Sequence, residues 1–273
     1  MIVLKPRKQF RIPVDGSCIS PDIFAAKSLK EISSLLVREG NRERILSDFF
    51  EVDGQAEYKV SETCIRINGN VSGVRGIGAY MTAGEILIYG NVGMRLGEGM
   101  RGGNIVVYGN ADSWAGSMMK GGNIAIFGDV NDYLGASYRG LTLGMEGGRI
   151  IVKGNAGNEA GCFMAGGLIH ISGNAGLFTG IHMKGGTLLV EGNAAERAGA
   201  MMTGGRIIIA GRISSVLPSF IVDEVRGSVR VEDERISGPF YVFRGDVTQS
   251  WSGGLFVSVK NNPHLKIYET KIP

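Results

Sequence analysis

Histidine, cysteine and methionine are the side chains of this sequence best able to move protons or bind soft metals, and it carries three, three and eleven of them. A metal centre needs three or four ligands at compatible spacing, whereas His170, His182 and His264 stand far apart. His182 fills a slot before Met183 that holds Gly99, Met118, Gly144, Phe163 and Met201 in the other repeats described below, so nothing chemical recurs there. Cys18, Cys64 and Cys162 contain no C-x-x-C pair, which leaves neither a thiolate metal site nor a disulfide framework and suits a reducing compartment. No nucleophile stands beside a base. Glu98, Glu146, Glu159 and Glu196 occupy different register positions, not the single face that a glycosidase-like or lyase-like groove demands. Seven of the methionines share one register position, which marks them as core filler. The sequence therefore predicts no catalytic, cofactor-binding or metal-binding residue in this chain.

The element that positions all these residues is a repeat. Gly-Asn recurs at Gly69-Asn70, Gly90-Asn91, Gly109-Asn110, Gly154-Asn155, Gly173-Asn174 and Gly192-Asn193, with Gly128-Asp129 and Gly211-Arg212 as variants. Successive leading glycines are 21, 19, 19, 26, 19, 19 and 19 residues apart. The methionines Met81, Met100, Met119, Met145, Met164, Met183 and Met202 keep the same register, and a glycine pair follows all but the first. Then comes a period-2 strand whose inward pairs run from Ile65/Ile67 through Ile86/Ile88 to Ile207/Ile209, all branched aliphatics.

Short strands separated by glycine-rich turns, with no helical pattern between them, predict an all-β fold: a right-handed parallel β-helix of about eight turns with a 19-residue repeat. Like residues then stack on like. The aliphatic pairs and methionines fill the interior, and the ladder Asn70, Asn91, Asn110, Asp129, Asn155, Asn174, Asn193 can hydrogen-bond from layer to layer. Forty-four glycines against seven prolines fit many tight corners rather than a disordered linker. The expected organisation is an N-terminal capping segment over 1–60 with one short helix at about 28–38, capped by Ser28; the repeat domain over 61–211; and a strand-rich, non-repeat C-terminal cap over 212–273. The unit from Gly128 to Gly154 carries seven extra residues, placing a surface loop at 136–144.

A net charge of +3, with 29 basic and 26 acidic residues interleaved, excludes a nucleic-acid stripe. No apolar run approaches the roughly 18 residues of a membrane span, and MIVLKPRKQFRIP lacks the apolar core of a signal peptide, so a cytoplasmic protein is expected. The outward strand positions are more informative. They read Leu87/Tyr89, Val106/Tyr108, Ala125/Phe127 and Ile151/Lys153, then His170/Ser172 and Leu189/Glu191, apolar first and polar later. Contiguous apolar surface marks an interface. Leu87, Tyr89, Val106, Tyr108, Phe127 and Ile151 are the candidate contacts, covered either by the chain's own ends or by another subunit.

The stretches PDIFAAKS, LSDFFEV, MTAGEILIYGNV, MRGGNIVVYGNADSWAG, YLGASYRG, GNAGNEAG, GIHMKGG and FYVFRGD resemble the C-type subunit of formylmethanofuran dehydrogenase, a complex of methanogenic archaea. Related glycine-rich repeats occur in the large subunit of glutamate synthase and in the C-type subunit of the formyltransferase/hydrolase complex. The resemblance implies a scaffold subunit of an oxidoreductase complex that reduces CO2 and couples it to methanofuran, giving N-formylmethanofuran in the first step of methanogenesis from CO2. It places a molybdenum or tungsten bis-pyranopterin, iron–sulfur clusters and the divalent metal of an amidohydrolase-like subunit in partner chains, and carries no catalytic residue onto this one. Tyr138-Arg139-Gly140 matches the family pattern and implies a partner contact or a stabilising loop. The alternatives are the C-type subunit of a formyltransferase/hydrolase complex and a free-standing β-helix enzyme acting on polysaccharide.

Overall fold

The computed structural model describes residues 1–250 and 252–273. Seventeen strands dominate it: β1 (Ile2–Pro6), β2 (Val14–Asp15), β3 (Leu36–Glu39), β4 (Arg42–Ile45), β5 (Phe50–Gly54), β6 (Cys64–Asn68), β7 (Val74–Arg75), β8 (Glu85–Tyr89), β9 (Asn104–Val107), β10 (Asn123–Ile126), β11 (Arg149–Val152), β12 (Leu168–Ile171), β13 (Thr187–Val190), β14 (Arg206–Ile209), β15 (Ile221–Val231), β16 (Glu234–Gly245) and β17 (Gly253–Ser258). One thirteen-stranded sheet runs in the order β15-β16-β17-β14-β13-β12-β11-β10-β9-β8-β6-β1-β5, and β4-β3-β2-β7 form a small second sheet.

From β6 through β14 every neighbouring pair is parallel and in register, so Ile65 lies beside Ile86, Ile86 beside Ile105, and onward to Leu188 beside Ile207. A second parallel ladder of single bridges links Val71, Val92, Ala111, Val130, Ala156, Ala175, Ala194 and Ile213. Between the two, all seven repeat methionines are fully buried. Each buried aliphatic or methionine side chain contributes about 1.5–3 kcal/mol by leaving water. The leading Asn or Asp of each turn accepts the backbone N–H of its counterpart in the next, from Asn91 Oδ1 with Asn110 N at 2.9 Å to Asn193 Oδ1 with Arg212 N at 2.7 Å. Asn70 differs: its Oδ1 accepts from Ser72 N at 3.0 Å, within its own turn.

The corners explain the glycines. At Gly116 φ is +63°, and a Cβ there would sit 2.3 Å from Ile150 Cδ1, so the side chain of a later turn occupies the space. The layers are close enough that the interior tolerates no addition at this position.

The sheet is mixed, which corrects a purely parallel coil at both ends. β1 joins β6 in parallel but pairs antiparallel with β5, while β17 extends the ladder in parallel beyond β14 and then pairs antiparallel with β16. A parallel stack leaves an open strand edge at each end, and these antiparallel partners cover both. Asn262, fully buried, fastens the last turn: its Oδ1 accepts from Ile213 N at 2.8 Å, and its Nδ2 donates to Gly211 O and Ser258 O. The expected helix at 28–38 is shorter and has a companion. α1 spans Pro21–Phe24 and α2 spans Leu29–Ser33, with Ser28 and Glu31 forming a reciprocal capping box. Leu36 to Glu39 form β3 instead, because pairing with β2 and β4 overrides the local helical spacing.

The methionine ladder yields a direct expectation. Met119→Ala should lower unfolding stability by about 2–5 kcal/mol, read from guanidinium denaturation, and a loss below about 1 kcal/mol would show that the interior is loosely packed.

Candidate functional site

The three histidines have separate surroundings. His170 Nε2 lies 2.9 Å from Glu191 Oε1, His182 stacks on Phe163 at 4.4 Å, and His264 sits exposed in a 3-10 segment over Pro263–Lys271. Among the described residues no group of three or more His, Cys, Asp or Glu could hold a metal ion. The surface that does stand out is the outward face of the parallel ladder, where register places Leu87, Val106, Ala125 and Ile151 in one row. All four are half-buried; Val106, Ala125 and Ile151, with Asn104, Asn123 and Arg149, line a shallow groove of about 390 Å³.

Beside that row, Tyr89, Tyr108 and Phe127 stand 39%, 48% and 52% exposed. Register stacks their rings nearly parallel, with centroids 4.6 and 5.2 Å apart and planes 11° and 9° from parallel. The Arg66 guanidinium closes the stack from the preceding strand, 4.5 Å from the Tyr89 ring centre. Sequence reasoning misses Arg66 as a contact, although it occupies the outward position of β6 equivalent to Leu87.

The later turns are not the polar face that His170/Ser172 and Leu189/Glu191 suggest. Leu168, Leu189, Ile208 and Phe256 form a second buried cluster with Val229, Val231, Phe240 and Val242 of the β15–β16 ribbon. The ribbon folds back across the outward face of the last turns and ends at Arg149, whose Nε lies 3.5 Å from Glu232 Oε2. The signal for it lies in the alternation of Val229 and Val231 and in the aliphatic outward residues Leu189 and Ile208. The chain thus covers half of its own apolar face and leaves the half formed by β8 to β11.

Tyr138 and Arg139 lie elsewhere. With Trp114, Tyr133 and Phe163 they line a pocket of about 140 Å³ under the 136–144 loop, sharing no lining residue with the groove. Trp114 stacks on Tyr133 at 4.5 Å. The buried Trp114 Nε1 and Tyr138 hydroxyl make no hydrogen bond. Burial pushes the Tyr138 hydroxyl up to about 12, reinforced by the Glu98 carboxylate. Glu98 itself is buried and paired with Arg95 at 2.6 Å. At the loop tip Leu141 and Leu143 are exposed, and Lys184 Nζ donates to Thr142 O at 2.6 Å.

The thiols are poor nucleophiles and poor ligands. Burial pushes Cys18 up to about 12, helped by Asp15, and Cys162 likewise to about 12, helped by Glu159; Cys64 is raised by burial and by Glu85. A raised thiol pKa means less thiolate at neutral pH. At pH 8 iodoacetamide should therefore label the native thiols at least roughly ten-fold more slowly than the same thiols in urea. Equal rates in the two states would contradict this placement.

No protein-family model matches the chain. Over 98 residues it is 45% identical to the C-type subunit of tungsten-containing formylmethanofuran dehydrogenase 2 from Methanothermobacter marburgensis, a stretch covering 36% of each chain. Over 95 residues it is 46% identical to the C-type subunit of molybdenum-containing formylmethanofuran dehydrogenase 1 from Methanothermobacter thermautotrophicus, covering 35% of this chain and 23% of that one. The match thus spans about a third of the length of the first relative and less than a quarter of the second. Among solved structures, a chain of the formyltransferase/hydrolase complex from Methylorubrum extorquens, in complex with methylofuran, superposes with a TM-score of 0.82 and 28% identity, covering 94% of this chain and 99% of the other. The chain is a homologue of the C-type subunit of formylmethanofuran dehydrogenase over about a third of its length, and over nearly all of it shares the fold of a chain from the formyltransferase/hydrolase complex.

Proposed function

We propose that this chain is a non-catalytic scaffold, the C-type subunit of a formylmethanofuran dehydrogenase. Its stacked turns form a right-handed parallel β-helix of about eight turns over 61–211, closed by segments 1–60 and 212–273. The observation that carries the reading is near-equal identity, 45% and 46%, to C-type subunits of tungsten-containing and molybdenum-containing enzymes. On this reading the complex reduces CO2 and couples it to methanofuran. The pyranopterin, the iron–sulfur clusters and the divalent metal then belong to partner subunits, and the burial that raises the Cys18 and Cys162 thiols fits a chain that ligates none of them. The outward residues Leu87, Tyr89, Val106, Tyr108, Phe127 and Ile151 form the partner-facing surface, and Tyr138 with Arg139 forms a second contact at the 136–144 loop. No helix among the described residues is long and apolar enough to cross a membrane; we place the complex in the cytoplasm.

A second reading has its own support. The superposition on a chain of the formyltransferase/hydrolase complex covers 94% of this chain, far more than the sequence matches do. The same scaffold would then serve formyl transfer and hydrolysis without CO2 reduction. Anoxic purification of the tagged chain from its own cells, followed by mass spectrometry and metal analysis, separates the two. Stoichiometric partners carrying iron with molybdenum or tungsten are expected. Partners carrying only a hydrolase-type metal would favour the second reading, and an isolated, well-behaved monomer would overturn both.

A further inference from the structure

The bare and covered halves of the outward face are one continuous ladder. Ile151 lies beside His170, and His170 beside Leu189, with no break in register. What packs on the covered half is known: a two-stranded ribbon whose alternate residues Val229 and Val231 meet Leu189 and Ile208. The ribbon leaves the end of the stack, its pairing shifts register between Arg226 and Ser228, and beyond that shift Val229 and Val231 pack back on the stack. The ribbon stops at Arg149, which lines both the polar pocket under its tip and the apolar groove beyond.

We propose that the groove over β8–β11 receives an extended, aliphatic-rich segment of a partner subunit, laid end to end with the β15–β16 ribbon and packed on the ladder in the same way. This rests on the reading of the chain as a subunit of a larger complex. Three features fit that occupant. The floor, Val106, Ala125 and Ile151, repeats the aliphatic chemistry of the covered half. One edge is polar, the Glu85 carboxylate followed by two amides: Asn123 Nδ2 donates to Asn104 Oδ1 at 3.0 Å, which leaves the Asn104 Nδ2 donors and the Asn123 Oδ1 acceptor for the backbone of an extended chain. Two positions beyond the floor residues along the chain stand the stacked rings of Tyr89, Tyr108 and Phe127, a rigid apolar surface that costs little side-chain entropy to bury. The observed occupant of this ladder is a ribbon and not a sheet face, which argues for an extended segment over the flat face of a second copy.

The test places a photo-crosslinking amino acid at Tyr108 and, separately, at Ala125 in the assembled complex. Both sites should link to a single partner subunit within one stretch of a few residues. Links to residues 212–273 of the same chain, to a second copy, to scattered sites on a partner, or no links at all would overturn the proposal while leaving the complex intact. A tagged chain that purifies alone would instead overturn the assembly reading and this inference with it. Ala125→Arg gives an independent check: partner recovery should fall at least ten-fold with the thermal midpoint of the chain unchanged. Undiminished recovery would overturn the inference.

Discussion

Every feature of this molecule depends on one constraint, the in-register parallel pairing of each turn with the next. Once Ile86 is hydrogen-bonded beside Ile65 and Ile105 beside Ile86, residues one repeat apart are forced into van der Waals contact. A residue placed at one register therefore meets the residues one repeat before and after it. That condition favours side chains that stack on themselves: aliphatics and methionine inside, amides that pass a hydrogen bond from layer to layer, and flat rings outside. It also explains the strictness of the glycines. At Gly116 the neighbour that fills the corner is Ile150, a residue from a later layer, so the corner is shaped by the next repeat as much as by its own.

The same constraint limits chemistry. A catalytic constellation brings unlike groups together, a base beside a nucleophile or an acid opposite a carboxylate. A ladder brings like groups together over most of its length, with single exceptions such as Lys120 beside Glu146 at 3.1 Å, and unlike groups gather in larger numbers where the register is broken. The breaks here are the seven-residue insertion, the two ends and the folded-back ribbon. At the insertion Trp114, Tyr133, Tyr138, Arg139, Glu159 and Cys162 do line one pocket, but that pocket is small and burial pushes its Tyr138 hydroxyl and Cys162 thiol up to about 12. At the ribbon tip His170 pairs with Glu191, and Arg149 pairs with Glu232 across the seam.

The repeat makes much of the stack legible from the sequence. The leading glycine, the methionine and the inward aliphatic pair each recur at a spacing that only stacking explains, and the strands β6 and β8 to β14 fall on those aliphatic pairs. What the sequence hides lies outside the repeat, where no second copy exists to compare. Leu36 and Val37 continue a helical spacing yet pair as β3, because β2 and β4 are at hand only in the folded chain. Leu189 reads as part of a polar turn because its neighbours His170 and Glu191 are polar; that Val229 and Val231, some 40 residues on, cover it depends on a ribbon bending back. Tyr138 and Arg139 fall in sequence between two strands of the apolar face, and only the path of the insertion separates them from it.

The relatives bear on the division of labour in a specific way. One relative named for tungsten and one named for molybdenum match about a third of this chain almost equally well, at 45% and 46%. A chain of a formyltransferase/hydrolase complex, named for different chemistry, superposes over nearly its whole length. A subunit that ligated the metal or shaped its pocket would be expected to diverge with the metal, since ligand softness and geometry discriminate between sites. A subunit that only presents a surface would not. On the proposed reading, the half of the outward face that the chain leaves uncovered, apolar at its floor and flanked by stacked rings, is where such a stack would meet another chain.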